Sequence, residues 1–336
     1  MESPFDKIVG GKKETREEFE RDASMEAVRT GEDLFGEYLV EPNEDEAEII
    51  KETVEYANNL AAKYGSARLV DPSRVFLLKE NGVELSTDGR LKEGVFNSLT
   101  NSIAVDRNTS SNVVFAMGIN HEALHMSSYQ AAQLWGEGRS GTYRSGIEMV
   151  ERGGGIKYFK QAQEAIIAIL NKKFFDEVLS KDPRYIKEIK YTKAVKERVI
   201  SYLSKVVTDD SARLKILNYY ENILGLPAAE KLYDRLYGSG EYSNQGDAWK
   251  IGFFESFLKE ELISGRVTLE RQDEIQTFNV VLDDIIKKSE DKIIDKEKLF
   301  DEFARAHFTG NYLPLARIIE DACGKGYFRE IATRLS

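Results

Sequence analysis

Most of the chain alternates hydrophobic and polar residues with the period of a helix, and one early segment has this pattern along its whole length. After Asn43, the segment NEDEAEIIKETVEYANNLAAKYG spaces its apolar residues three and four positions apart, and acidic residues fill its first turn. This pattern predicts an amphipathic helix that Asn43 caps and that ends at Gly65.

Between Pro72 and Arg107 the period shortens, and the chain contains three short runs that are rich in β-branched and aromatic residues. These runs are RVFLL, GVFNSLT and SIAVDR. They predict a small, mostly antiparallel sheet. Further along, TYRSGIEMVERGGGIKYF predicts a hairpin with Gly153–Gly155 at its turn.

Helical periods return on both sides of this hairpin. One helix is predicted from about Asn112 to Leu134, and a second covers KQAQEAIIAILNKKFFDEVL from Lys160 onward. Almost everything after Asp182 also has a helical period. The helices predicted there lie near residues 190–207, 210–224, 227–237, 247–264, 268–289, 296–307 and 313–322, and a last short one follows Gly326.

The order of these elements predicts an α+β protein with a small sheet, two central helices and a largely α-helical C-terminal half. We divide the chain into a charged, loosely attached N-terminal arm (1–42), a central subdomain (43–181) and a helical C-terminal subdomain (182–336). The arm has few apolar residues and one short predicted helix, from Thr15 to about Arg29.

The composition narrows the classes of function. The formal net charge is −11 over 336 residues, and because an acidic surface repels phosphate backbones, we expect no nucleic-acid partner. No stretch reaches the roughly 18 apolar residues that span a bilayer, and the N-terminus lacks the apolar core of a signal peptide. The single cysteine excludes an intramolecular disulfide. These features predict a cytoplasmic protein with no membrane partner, and they leave open export by a route that needs no signal peptide.

The main chemical signal is GINHEALHMSS, which holds two of the three histidines of the chain. His121 and His125 are four positions apart, so a helix projects both imidazoles from one face. Zinc binds imidazole nitrogens and lowers the pKa of a water that it coordinates to about 7. Glu122 would lie beside such a metal and accept a proton from that water. The spacing therefore predicts a metal site with its own general base.

A catalytic zinc needs a third protein ligand, and glutamates on later elements are the candidates. Glu164 has apolar residues one turn further on, and a carboxylate on such a helix face needs a partner such as a metal. Glu148 is the alternative ligand. On a strand, however, Glu148 would share a polar face with Arg144 and pair with it. Glu151, next to the glycine turn, is expected to be solvated.

The HEALH helix, the sheet before it and the glutamate helix after it resemble the gluzincin group of H-E-x-x-H metallopeptidases over roughly residues 70–180. In that group the glutamate often follows an asparagine near the start of the second helix, and Gln163 takes that position here. The resemblance implies a zincin-like catalytic subdomain in which His121, His125 and Glu164 bind Zn²⁺.

The function expected from these residues is hydrolysis of a peptide or protein substrate, in which Glu122 activates water and later passes the proton to the leaving amine. Zinc peptidases usually stabilise the oxyanion with a histidine or tyrosine, and the candidates are His307 and Tyr143. The strand NSIAVDR would form the edge against which an extended peptide lies. The alternative function is a binding or structural protein whose metal joins two helices without turnover. A divalent metal other than zinc also stays open.

Overall fold

The computed structural model describes residues 3–87, 94–107, 112–135, 139–151, 155–189, 270–289 and 295–336. In these ranges the chain combines helices with two small sheets and has a helical C-terminal region. The helices predicted near 190–207, 210–224, 227–237 and 247–264 lie outside the described residues. No helix within the described ranges is long and apolar enough to cross a bilayer.

The strands are short, and eight of them have described bounds. They are β1 (Lys7–Gly10), β2 (Val75–Leu78), β3 (Gly94–Asn97), β4 (Ser102–Asp106), β5 (Gln130–Leu134), β6 (Ser140–Ser145), β7 (Glu148–Val150) and β8 (Lys157–Tyr158). We number the α-helices with described bounds in the same way. They are α1 (Lys13–Glu26), α2 (Gly31–Phe35), α3 (Glu44–Lys63), α4 (Gly82–Ser86), α5 (Asn112–Met126), α6 (Lys160–Phe174), α7 (Glu270–Lys288), α8 (Lys296–Thr309), α9 (Leu313–Cys323) and α10 (Tyr327–Arg334).

The chain divides into two compact units. One contains residues 1–107, 116–174 and 274–336, and the other contains residues 108–115 and 175–273. The first unit therefore combines residues from the beginning, the middle and the end of the chain. The sequence instead predicted boundaries after residues 42 and 181. All of the predicted site residues belong to this first unit.

The first sheet has the order β2-β4-β3, with β2 parallel and β3 antiparallel to the central strand β4. The segment before α3 covers the outer edge of β2, where Val40 N–H donates to Leu77 O and Lys79 N–H donates to Tyr38 O, both at 2.9 Å. Among the described residues, the outer edge of β3 has no backbone hydrogen-bond partner. The sequence placed the edge at NSIAVDR, and this prediction is wrong because β4 lies between two strands.

The second sheet has the order β1-β5-β6-β7-β8. Its strands pair antiparallel from β5 to β8, and β1 adds to β5 in parallel, with Lys7 opposite Ala131 and Gly10 opposite Leu134. The predicted hairpin corresponds to β7 and β8. A loosely attached N-terminal arm is wrong for residues 7–10, because the backbone of this segment pairs with a fully buried strand.

The helix after Asn43 is confirmed, and so is its start. Asn43 Oδ1 accepts from Glu46 N–H at 2.9 Å, and Glu46 Oε2 accepts from Asn43 N–H at 2.8 Å, which is a reciprocal capping box. The helices predicted at 268–289, 296–307 and 313–322 are also confirmed, as α7, α8 and α9. Their amphipathic periods were sufficient to predict them.

The helix predicted from about Asn112 to Leu134 is too long. It ends at Met126, and residues 130–134 form β5 instead. Ser127 Oγ donates to Ala123 O at 2.8 Å and Ser128 Oγ donates to His125 O at 2.6 Å, so side chains use the carbonyls of the last turn. Serines that bond the backbone in this way compete with continuation of the helix.

Candidate metal centre

Two helices bring the predicted metal ligands together. His121 and His125 on α5 point their Nε2 atoms at one another across 3.2 Å. The carboxylate of Glu164, near the start of α6, lies 3.6 Å from His121 Nε2 and 3.5 Å from His125 Nε2. One ligand atom from each residue lies within 4.8 Å of the other two, so this cluster could hold a metal ion.

The separations fit a tetrahedral metal site. Ligand atoms at about 2.05 Å from a zinc ion with tetrahedral angles are about 3.3 Å apart, close to the distances in this cluster. Both histidines are buried, whereas the side chain of Glu164 is 28% exposed. The cluster therefore opens to solvent beside the carboxylate, as a site that admits a substrate must.

The pairing of α5 with α6 has a local cause in the sequence. Both helices bury apolar residues next to the ligands, including Ala123 and Leu124 on α5 and Ala165 on α6. A polar bond joins the same two helices, since Asn120 Nδ2 donates to Asn171 Oδ1 at 2.9 Å and both residues are buried. A buried polar bond between two helices favours the relative position in which it can form.

Glu122 lies beside the cluster and faces the first sheet. It is partly exposed, unlike the histidine before it. A Cβ added at Gly94 of β3 would lie 3.5 Å from Glu122 Cγ and 3.6 Å from Glu122 Oε1. The general-base candidate therefore lies against the backbone of an open edge strand, at a position where no side chain stands between them.

His307 on α8 is fully buried, and its ring packs against the turn between β6 and β7. Its Nδ1 accepts a hydrogen bond from Ile147 N–H at 3.3 Å, which places the proton of the neutral ring on Nε2. Nε2 is buried and has no hydrogen-bond partner among the described residues. The pKa of His307 is lowered to about 3, mainly by burial and next by the charge of His125, while Glu164 opposes the shift. His307 is therefore a neutral N–H donor within electrostatic reach of the cluster.

This turn requires glycine at position 146. Gly146 has a φ of +56°, and a Cβ there would overlap the imidazole ring of His307. Gly146 N–H donates to Tyr129 O at 2.6 Å, and Tyr129 N–H donates to His307 O at 3.3 Å. Tyr129, just after α5, is therefore hydrogen-bonded both to the β6–β7 turn and to the end of α8.

Arg144 contacts the end of α8 and the residues that follow it. Its guanidinium donates to Gly310 O at 2.7 Å, at the C-terminus of α8, and lies over the ring of Tyr312 at 3.8 Å. Burial raises the pKa of Tyr312 to about 12, and Arg144 opposes this rise. Tyr312 remains protonated at neutral pH and donates to Ile147 O at 2.6 Å. A cation at the negative end of α8 stabilises the helix that carries His307.

The other predicted residues, Glu148 and Tyr143, have contacts of their own. Glu148 Oε1 accepts from Lys157 Nζ at 2.9 Å, so its partner is Lys157 and the predicted pairing with Arg144 is wrong. Tyr143 is half-buried, and it lies near enough to Tyr129 and Tyr312 to raise the pKa of each. Glu148 is not a member of the cluster of His121, His125 and Glu164.

Sequence reasoning missed two features of the site. Gly94 could have been found, because a glycine inside a strand pattern signals close approach of another group. The second is the end of α5, where Arg68 Nε donates to Met126 O at 3.1 Å. No local signal predicts that contact, since the two residues are brought together only by the fold.

Comparison with known proteins found no similar protein. No family model matches the chain, and neither the curated proteins nor the solved structures that were searched gave a match. Functional assignment therefore depends on the residues and their geometry.

Proposed function

We propose that this protein is a zinc-dependent metallopeptidase of the H-E-x-x-H type with a gluzincin-like, zincin-like site. The observation that carries the proposal is the cluster of two imidazole nitrogens and one carboxylate beside a further glutamate. A site with two histidines and one glutamate leaves a fourth tetrahedral position open, as catalytic zinc sites do. A purely structural site would have no use for Glu122.

In this proposal His121, His125 and Glu164 hold the metal. A bound zinc ion supplies a Lewis acid that polarises the scissile carbonyl and makes water acidic enough to lose a proton near neutral pH. Glu122 accepts that proton and returns it to the leaving amine. The side chain of Glu122 is partly exposed and lies beside Gly94, where the proposed substrate would lie.

The substrate that fits best is an extended peptide. The outer edge of β3 carries backbone groups without a partner among the described residues, and an extended chain can pair with such an edge. Gly94 would place the peptide backbone close to Glu122. We therefore propose β3 as the strand that binds the peptide, in place of β4, the NSIAVDR strand expected from the sequence.

His307 is the candidate oxyanion donor in this proposal, and its ring interacts electrostatically with His125 and Glu164. Its Nε2 carries a proton at neutral pH, is buried and has no partner among the described residues. A fixed N–H donor near the reacting carbonyl stabilises the negative charge that develops on the oxygen. Tyr143 has no contact that supports the same role.

Metal content measured by mass spectrometry tests the site, with wild type beside Glu164→Ala and Glu148→Ala. We expect about one zinc per wild-type chain, lost in Glu164→Ala and retained in Glu148→Ala. The opposite pattern would keep a metal site but exchange its third ligand. A different divalent metal, such as iron, would point away from peptidase chemistry, because two histidines and a carboxylate also serve iron oxygenases.

A wild-type protein that binds no metal after reconstitution with zinc would refute the site. A wild type that binds zinc but hydrolyses no member of a broad peptide library would favour the alternative, a metal-stabilised binding or structural protein. A cytoplasmic location remains a prediction from the sequence.

A further inference from the structure

The last turn of α5 carries the second histidine, and other parts of the chain hold its carbonyl groups. His125 O accepts from Ser128 Oγ at 2.6 Å and from Gln130 Nε2 at 3.3 Å. Met126 O accepts from Arg68 Nε at 3.1 Å. The final carbonyls of a helix lack partners within the helix, and these side chains supply hydrogen bonds there in addition to the backbone bond from Ser128 N–H to His125 O at 3.1 Å.

Arg68 connects this turn to the N-terminal segment. Its Nη1 donates to Pro4 O at 2.9 Å and to Asp6 Oδ2 at 3.4 Å, and its Nη2 donates to Asn101 Oδ1 at 3.1 Å. Burial lowers the pKa of Arg68, and the carboxylate of Asp6 raises it again. Arg68 therefore depends on Asp6 to balance its charge where it contacts the helix end.

A second series of hydrogen bonds connects the N-terminal segment to His125. Asp6 N–H donates to Gln130 O at 2.8 Å, and Gln130 N–H donates to Asp6 Oδ2 at 2.7 Å. The side chain of Gln130 then donates to Ser128 Oγ at 2.9 Å, next to its longer bond to His125 O. The strand β1 continues the contact along β5. Asp6 thus acts on the last turn of α5 through both Arg68 and Gln130.

The position of this turn decides where His125 Nε2 lies. A metal site tolerates displacements of only about 0.5 Å in its ligands, and the ends of helices fray before their centres. A cation at the C-terminus of a helix also stabilises it against the helix dipole. An undocked N-terminal segment would leave Arg68 without its carboxylate and Gln130 without its backbone partner.

We propose that docking of residues 4–10 is coupled to metal binding, with Asp6 and Arg68 as positioning residues for His125. This inference rests on the metal site proposed above. Coupling between two sites is reciprocal, so docking of the segment tightens metal binding, and bound metal stabilises the docked segment. A partner that captured the segment would weaken the metal site without touching a ligand.

The test compares zinc dissociation constants of wild type, Asp6→Asn and Glu17→Gln, measured in competition with a chelating dye. Asp6→Asn keeps the shape and an acceptor oxygen but removes the charge beside Arg68. Glu17 is an exposed acid of α1 whose ion-pair partner is Lys13 at 3.6 Å, and it serves as the matched control. Circular dichroism confirms that all three proteins are folded.

We expect Asp6→Asn to bind zinc about 5- to 150-fold more weakly, the usual range of coupling between sites, and Glu17→Gln to match wild type. Hydrogen exchange gives the reciprocal readout, in which zinc slows exchange of the amides of residues 6–10 in wild type. Equal zinc affinity in wild type and Asp6→Asn would overturn the coupling and leave the metal site intact. A wild type that binds no zinc would overturn both proposals.

Discussion

The two sheets lie against α5, the helix of His121 and His125, in different ways. At the three-stranded sheet, β3 has an outer edge with no backbone partner among the described residues, and Gly94 leaves space beside the partly exposed Glu122. At the five-stranded sheet, β1 pairs with the buried strand β5, and the side chain of Gln130 in β5 donates to His125 O in the last turn of α5. The exposed edge therefore lies at one sheet and the added strand β1 at the other, while Arg68 bonds both the end of α5 and Asn101 between β3 and β4.

The largest effect is expected on the open side, from Glu122→Gln. The amide cannot accept a proton, so peptide hydrolysis should fall by about 10²- to 10⁴-fold, the usual contribution of a general base. Zinc content should equal that of wild type because Glu122 is not a ligand. Turnover of a fluorogenic peptide library and metal analysis on the same preparations measure both. Unchanged turnover would contradict the assignment of Glu122 as the base.

The second largest effect on activity is expected from a side chain added at Gly94, on the outer edge of β3. Gly94→Val would place methyl groups between the strand and Glu122, and we expect kcat/KM to fall about 10- to 100-fold, as small misplacements of reacting groups do. Gly94→Ala is the matched control, because its Cβ would lie 3.5 Å from Glu122 Cγ, an ordinary contact. Steady-state kinetics should separate the two. Equal values for both variants would mean that β3 does not bind the substrate.

A smaller effect is expected from the buried histidine and depends on pH. Native His307 has a pKa of about 3 against an ordinary value of 6.5, so between these values the unfolded chain binds a proton that the folded chain does not. The free energy of unfolding should therefore decrease as the pH falls through this window, by up to about 1.4 kcal/mol per pH unit.

Urea unfolding of wild type and His307→Asn, with a chelator present, measures this pH dependence. The charges of His125, Glu164 and Arg144, which act on His307, are present in both proteins. The difference between the two curves therefore reports His307 itself. Parallel curves would show that His307 is not held neutral in the fold.

The smallest effect is expected from Glu148→Gln. Glu148 pairs with Lys157, whose side chain is 51% exposed, and such pairs contribute about 1 kcal/mol or less. Zinc affinity and turnover should match wild type, because this carboxylate lies outside the cluster. Isothermal titration with zinc provides the comparison, and a tenfold loss of affinity would place Glu148 in the metal site after all.

The sequence predicted the parts of the site whose signals are local. The spacing of His121 and His125 gives their common helix face, and the semi-apolar surroundings of Glu164 indicated that its carboxylate needed a partner. The helix start at Asn43 was also predicted from the sequence, because both residues of a capping box lie within four consecutive positions. Each of these inferences needed one segment of chain and no knowledge of what packs against it.

The sequence did not predict the parts that depend on distant partners. QAAQL continues a helical period and has no β-branched residue, yet it forms β5 because β1 and β6 pair on its two sides. The bond from Arg68 to Met126 joins residues 58 positions apart, and that from Arg74 to Arg29 joins residues 45 positions apart. Tertiary pairing overrides local propensity at such places.

The contact between His307 and the β6–β7 turn also has a consequence for the order of synthesis. Ile147 N–H and His307 Nδ1 are 160 positions apart in the chain. At roughly 5 to 20 residues per second, a ribosome needs about 10 to 30 s to make the segment between them. During that time the nascent chain contains the HEALH segment but lacks the histidine that packs against the turn. A chain that is still being made therefore cannot form this contact between α8 and the β6–β7 turn.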